Sequence, residues 1–468
     1  MKITVINGSP KGNYSVTYQS AKYLQALAST KHCFTVHHVA QRIISLEKNK
    51  AYLNEVYSSM VNSDVVLWIY PVYTFLVPYQ LIKFIELLTE NTDVCKLKGK
   101  YTSQLSTSRH FYDHTAYNYL LQICEDFNMN IIPGHISDME DLKRVEGQKN
   151  LATFLKEIEL HVNNNFTSSK KYLAVQHDIN KYQSNNLKEI TPKEKTYKIT
   201  LITDCNEANS NLQQMIDTFI KLMPNSVQVL NLNNVVIKSG CIGCMHCTIE
   251  GVCVIKDDHK EAFNTYVTGS DCVIYATNIK KHSFGSLFKK FTDRQFSNGH
   301  RISSMGKPIA YLVSGNLSAE PNLREIIEAR CEVGKLYLCD IVTDENNSAT
   351  ISHNIESLTK KIMWALNNKA ERPVNFLGVG GMKVFRDLIY SMQGLMLEDH
   401  RFYKRYKLYD FPHKNKLSIM QSYLIGLMMK PKAVRKKIMP QLKKQLIKEH
   451  QTIINKVTKD KSTINKKD

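Results

Sequence analysis

The strongest constraint on the fold of this chain is a repeat on the scale of a whole domain. "MKITVIN" at residues 1–7 returns as "YKITLIT" at 197–203, and "DVVLWIY" at 64–70 returns as "DCVIYAT" at 271–277. "QLIKFIEL" at 80–87 is echoed by "SLFKKFTD" at 286–293, and "KYTSQLSTS" at 100–108 by "KPIAYLVSG" at 307–315. In each copy, short apolar runs alternate with segments whose apolar residues recur at helical spacing. "NIIPGHI" at 130–136 completes the strand series of the first copy. Apolar strands separated by helices predict a parallel sheet covered on both faces. The same α/β unit is therefore expected twice.

A polar stretch at 163–195, rich in Asn, Ser, Gln and Lys and without periodicity, separates the copies. The expected division is one α/β domain at 1–165, a linker at 166–195, a second α/β domain at 196–370 and a helical extension at 371–468. A length of 468 residues also exceeds what one ordinary core serves. No run of eighteen apolar residues exists, so no membrane-spanning helix is expected, and the N-terminus lacks the features of a signal peptide. The expected location is cytoplasmic, where the eleven cysteines would be reduced thiols.

The formal charge of +19 is unevenly spread. Residues 401–468 hold nineteen Lys/Arg against Asp410, Glu449, Asp460 and Asp468, so that segment carries +15 of the total. The first 400 residues do not read as a nucleic-acid binder. In the extension, residues 376–396 and 417–453 read as helices with apolar faces, the second with a basic surface over 430–444. Three readings compete there. Packing on the α/β core ranks first, peripheral contact with an anionic membrane second, and a nucleic acid or acidic protein last. No aromatic-interleaved module supports specific nucleic-acid binding.

Chemistry concentrates at the ends of the first three strands. "NGSPKGNYSVTYQSAKYL" at 7–24 follows a strand and opens a helix. Its unpaired first N–H groups and helix dipole favour an anion. Gly8 allows close backbone approach, Ser9, Ser15 and Thr17 add hydroxyls, and Lys11 adds charge. The loop is neither a Walker loop nor the GxGxxG fingerprint, and by itself a capped helix explains it equally well. "YPVYTFLVPYQ" at 70–80 clusters Tyr70, Tyr73 and Phe75 between the stiffening Pro71 and Pro78. "STSRHFYDH" at 106–114 offers Ser106, Thr107 and Ser108. Together the three loops suit a flat apolar ring with polar edges.

"SGCIGCMHCTIEGVC" at 239–253 places Cys241, Cys244, Cys247 and Cys253 in one loop, with Gly243 and Gly251 giving the backbone freedom. Three thiols in C-x2-C-x2-C form and a fourth shortly after suit an iron–sulfur centre. A [4Fe–4S] cluster ranks first, and zinc and free thiols remain as alternatives. The other cysteines read as small buried hydrophobes. Asp257 or Asp258 is expected to cap the following helix.

"GSPKGNYSVT", "SDVVLWIYPVYTFLVPYQLIKFIE" and "FYDHTAYNYLLQICEDFNM" resemble the flavodoxin-like NAD(P)H-dependent FMN reductases. "CIGCMHCTIEGVCVIKDD" resembles the iron–sulfur flavoprotein branch of that family. The resemblance spans roughly the first 365 residues, and the full chain is similar to two-domain clostridial-type oxidoreductases of the group. It implies two flavodoxin-like doubly wound domains in tandem. It implies FMN, with NAD(P)H as co-substrate and Cys241, Cys244, Cys247 and Cys253 as cluster ligands. Ser9, Lys11, Ser15, Val16 and Thr17 would hold the phosphate. Pro71, Val72, Tyr73, Thr74 and Phe75 would line the isoalloxazine ring, with Ser106, Thr107, Ser108 and His110 on its other edge. His110, Asp113 and His114 read first as caps and surface groups, and second as a proton relay.

The second copy departs from this pattern. "TDCNEANSNLQQM" at 203–215 lacks the Gly-Ser-Pro turn, and Asp204 and Glu207 would repel a phosphate. "TNIKKHSFG" at 277–285 lacks the Pro-Val-Tyr element. A fused pseudo-dimer is expected, in which domain one keeps the flavin and domain two the thiols facing it. Lys280, Lys281 and His282 would line the cleft between them or form a solvated turn. The expected activity is hydride transfer from NAD(P)H to FMN, with onward transfer through the cluster to a small-molecule or protein acceptor. The alternative is a non-enzymatic electron carrier between proteins. A homo-oligomer is expected.

Overall fold

The computed structural model describes residues 1–28, 30–175, 181–184, 197–298, 300–409, 416–428, 430–434 and 436–437. Domain one runs β1 (Lys2–Asn7), α1 (Val16–Ala28), β2 (Cys33–His37), α2 (Ile43–Lys48), α3 (Lys50–Val61), β3 (Val65–Pro71), α4 (Tyr79–Asn91), β4 (Tyr101–Ser108), α5 (Asp113–Asp126), β5 (Asn130–Ile131), β6 (His135–Asp138) and α6 (Val145–Asn163). Its sheet is parallel, in the order β2-β1-β3-β4-β5, with β6 beside the far end of β4. β1 and β3 are almost wholly buried because helices cover both faces, which is why they read as continuous apolar runs. The segment expected as one strand at 130–136 is two. β5 pairs with Tyr101 and Thr102, β6 with Leu105 to Ser108, and the break spans Pro133, which has no N–H for the ladder.

Domain two repeats the topology with β7 (Ile199–Thr203), α7 (Asn211–Leu222), β8 (Val227–Asn231), α8 (His246–Glu250), α9 (His259–Phe263), β9 (Cys272–Lys280), β10 (Ser283–Phe284), α10 (Ser286–Asp293), β11 (Pro308–Ser314), α11 (Pro321–Val333), β12 (Tyr337–Thr343) and α12 (Ser348–Asn368). The order is β8-β7-β9-β11-β12, with β10 folded back antiparallel on β9. β2, β8 and β12 had no counterpart in the expected strand series. All three are edge strands with interrupted burial, so they carry no long apolar run. The chain is thus two flavodoxin-like α/β domains followed by a helical region.

One face of each sheet packs on its own helices, α1 and α6 in domain one, α7 and α12 in domain two. The other faces meet through α4 against α10 and α5 against α11. Each domain caps a helix of the other. Glu86 of α4 accepts the Ser286 N–H at 2.7 Å, at the start of α10, and Asp293 of α10 accepts the Tyr79 N–H at 2.8 Å, at the start of α4. A carboxylate at a helix N-terminus satisfies an orphan N–H and complements the dipole.

The expected linker and extension both contact the α/β domains. Within 166–195, Glu125 accepts the N–H groups of Lys171 and Tyr172, and Tyr182 is fully buried in the second core with its hydroxyl near those of Thr218 and Ser352. The extension also divides. α13 (Phe376–Ser391) and α14 (Leu397–Arg405) belong to the same compact unit as both α/β domains, which ends at Tyr406. A separate unit begins at Lys407 and contains α15 (Lys416–Met428). The rest of the helix expected over 417–453 lies outside the described residues beyond 437. Among the described residues no helix is long and apolar enough to cross a membrane.

Candidate active site

The first loop is built from its own polar groups. Asn7 Oδ1 accepts the Ser9 N–H at 2.9 Å, and the carbonyl of Ser9 accepts Gly12 N–H at 3.2 Å. A short turn at Gly12–Tyr14 leads into α1. At Gly8 a Cβ would lie 2.6 Å from Leu81 Cδ2, so glycine lets the loop pack closely against α4. Thr17 Oγ1 lies 2.6 Å from Thr107 Oγ1 and ties the first loop to the third.

The second loop reverses sharply. Tyr73 and Leu76 exchange both backbone hydrogen bonds, and Thr74 (φ 48°) and Phe75 (φ 68°) are both left-handed. Such a two-residue reversal suits Asn-Gly, so Thr-Phe stores strain that its surroundings must hold. Domain two does so. Lys289 Nζ, itself buried and ion-paired with Asp293, donates to the Tyr73 carbonyl at 2.7 Å. From the other side Thr115 Oγ1 donates to the Phe75 carbonyl at 2.6 Å.

A cavity of about 180 Å³ lies between the loops. Ser9, Lys11, Ser15, Val16, Thr17, Pro71, Val72, Tyr73, Thr74, Thr107 and Ser108 all line it. Phe75, Ser106 and His110 do not. Phe75 turns toward Phe111 and Tyr112, Ser106 is buried on β4, and His110 is half-exposed with Nδ1 2.8 Å from Asp113 Oδ2. The roof was not foreseen. Phe296 and His300 come from domain two, and Val384, Phe385 and Leu388 from α13. Phe385 stacks on Phe111 at 4.2 Å between centroids. Single aromatic residues in a basic extension carry no signal of such a role.

All four clustered cysteines line a second, smaller cavity, together with Arg294 and Phe296. Arg294 closes their loop at both ends. Its guanidinium donates to the carbonyls of Ser239 (3.0 Å) and Ile255 (3.3 Å) and forms a fork on Asp257 at 2.7 and 3.0 Å. Asp257 therefore anchors the loop as well as accepting the His259 N–H at 3.3 Å. The loop lies directly on the flavin-side loops. Gln80 Nε2 donates to the Cys241 carbonyl at 3.3 Å, and the Tyr73 and Phe296 rings meet edge-on at 5.7 Å in the wall between the two cavities. The Tyr73 hydroxyl is buried beside Gly243 and has no hydrogen-bond partner among the described residues.

Burial pushes the Cys241 thiol up to about 12 and Cys247 to about 11. Among the described residues no three His, Cys, Asp or Glu side chains converge to hold a metal ion. The four thiols nevertheless line one small cavity, with Gly243 N–H donating to Cys241 Sγ at 3.4 Å, and thiols are the donor type that iron–sulfur centres use.

The corresponding sites of domain two are filled with protein. Lys281 (φ 48°) and His282 (φ 62°) repeat the strained reversal between β9 and β10. His282 is neither in an open cleft nor solvated. It is fully buried, with Nε2 3.0 Å from Asp126 and Nδ1 2.9 Å from Glu320. Burial opposes its charge, but the hydrogen bonds and charges of the two carboxylates prevail and raise its pKa to about 9. At the strand ends, the buried Asp344 carboxylate accepts from Gly315 N–H (2.8 Å), Ser314 Oγ (2.6 Å) and Asn211 Nδ2 (2.9 Å) at the start of α7.

A flavodoxin-like domain whose three strand-end loops enclose a hydroxyl-lined, lysine-bearing cavity at a helix N-terminus defines the class: a flavin-dependent oxidoreductase. Residues 1–140 match the NADPH-dependent FMN reductase family model. The chain is 27% identical over 164 residues to an iron–sulfur flavoprotein of Clostridioides difficile (strain 630), covering 32% of this chain and 72% of that one. Among solved structures it is similar to an NADH:FMN oxidoreductase in apo form, at 19% identity over 36% of this chain and 91% of that one, with a TM-score of 0.30. FerB, a flavoenzyme NAD(P)H:(acceptor) oxidoreductase from Paracoccus denitrificans, is similar at 20% identity, covering 34% of this chain and 98% of its own, with a TM-score of 0.27.

Proposed function

We propose that this chain takes hydride from NAD(P)H at FMN held between domain one and α13, and passes electrons onward by way of a [4Fe–4S] centre on Cys241, Cys244, Cys247 and Cys253. The observation that carries this reading is Phe296, which lines both cavities and meets Tyr73 of the flavin cavity edge-on. FMN, when bound, supplies hydride acceptance and the release of electrons one at a time. The residues supply the rest. Ser9, Ser15 and Thr17 offer hydroxyls and Lys11 a positive charge to a phosphate at the N-terminus of α1. Phe111, Phe296 and Phe385 exclude water from the ring. Arg294 and Asp257 hold the thiol loop against the wall.

The test is a preparation made without air, with flavin and iron measured per chain and the visible spectrum followed as NADH or NADPH is added. One FMN, about four iron atoms and prompt bleaching are expected. Bleaching with neither nucleotide would return the electron-carrier reading. Zinc in place of iron, or two FMN per chain, would remove the division of labour between the domains.

A further inference from the structure

We propose that a chamber behind the flavin cavity is the acceptor site, and that it takes a flat aromatic ring bearing an anionic group; this rests on the flavin-dependent reading above. The chamber holds about 190 Å³ and shares Thr74, Phe111, Phe296, His300 and Phe385 with the flavin cavity. It runs into domain two as far as Tyr275 and Tyr311. Walls this rich in aromatic rings favour a planar ligand that can stack or meet them edge-on.

Two polar groups in the chamber call for particular chemistry. Arg330 of α11 places its guanidinium 5.9 Å from the Phe75 ring centroid and donates to Gln295 Oε1 at 3.2 Å. No carboxylate pairs with Arg330 among the described residues. A guanidinium in an apolar chamber is satisfied best by an anion in bidentate contact. Asn298 Nδ2, on the same lining, is buried and finds no acceptor among the described residues, and a nitro or quinone oxygen would supply one. The ligand class is therefore an aromatic carboxylate or sulfonate carrying such an oxygen. For a nitroaromatic the step balances with one hydride and one proton: NAD(P)H supplies the two electrons as hydride, solvent supplies one proton, one N–O bond of the nitro group breaks, and the products are the nitroso compound, water and NAD(P)⁺.

The experiment is calorimetric titration of the oxidised, FMN-loaded chain with 4-nitrobenzoate and with its neutral isostere 4-nitrobenzamide, no nucleotide being present. The benzoate should bind at least about tenfold more tightly, the fold-change of a modest charge-assisted contact. Arg330→Met should abolish the difference and leave the amide unchanged, and Arg330→Lys should keep part of it. Equal affinities in the unmodified chain, or a preference that survives Arg330→Met, would overturn the proposal. So would a loss of both ligands alike in a folded Arg330→Met variant. Failure of the functional reading would show separately, as flavin that neither nucleotide bleaches.

Discussion

Gly243 is the residue at which the two halves of the site constrain each other most tightly. Its φ is +66°, and a Cβ there would lie 2.1 Å from Tyr73 Oη and 2.5 Å from Lys11 Cε. Gly243→Ala therefore pushes on both a cavity wall and a phosphate-side lysine, besides straining the backbone by about 1–2 kcal/mol. FMN affinity should fall roughly tenfold, measured by fluorescence titration; an unchanged affinity would mean the thiol loop yields independently of the flavin loops. Arg294 acts at the ends of the same loop. Arg294→Met leaves Asp257 buried and unpaired, which costs about 3–5 kcal/mol. Urea unfolding should show that loss, and adding Asp257→Asn should recover part of it. A change below about 1 kcal/mol would show the loop closed by other means. The glycines and the cysteine spacing were legible in the sequence because local geometry dictates them. Arg294 was not, because its partners lie 37 to 55 residues away.

At the scale of elements, the two strained reversals have diverged in use. The Thr74-Phe75 turn borders the flavin cavity, whereas the Lys281-His282 turn drives an imidazole between Asp126 and Glu320 and locks the domains together. The folded-state pKa of His282, about 9, exceeds the unfolded value of 6.5. Its stabilisation is thus fully present below about pH 6.5 and is lost as pH rises through about 9. Denaturant midpoints between those limits should fall, and His282→Gln should flatten that limb; equal slopes in both proteins would exclude the imidazole as the cause. α13 roofs the cavity through Phe385. Phe385→Ala should open it and speed FMN release about tenfold, read by stopped-flow fluorescence, as expected for a lost aromatic stack worth about 1 kcal/mol together with water entry. Strands β1, β3, β7, β9 and β11 were readable because burial on both faces makes them rich in apolar residues, whereas β4, equally buried but carrying Ser, Thr and Gln, was read from its place in the alternation. The edge strands and the roof of α13 escaped, because half-burial and long-range docking leave no local pattern.

On the scale of the whole molecule, the two α/β domains pack against each other and α4 and α10 exchange carboxylate caps. One domain keeps a cavity at its strand ends, and the other seals the corresponding place with Asp344. Thr17→Val should therefore lower FMN content, while Asn211→Ala, at the start of the corresponding helix, should leave it at one per chain by absorbance. Loss of flavin in the second variant would contradict the asymmetry. The amino-acid order alone settled the repeated α/β unit, the three strand-end loops and the thiol quartet. These follow from local periodicity, turn chemistry and ligand spacing, each contained within a few dozen consecutive residues. Docking of the two copies settled which residues wall the flavin cavity from the thiols, why His282 is buried, and that a helix beyond residue 375 closes the pocket. Those outcomes depend on contacts between side chains hundreds of positions apart, and burial and charge pairing across an interface leave no trace in any single stretch of sequence.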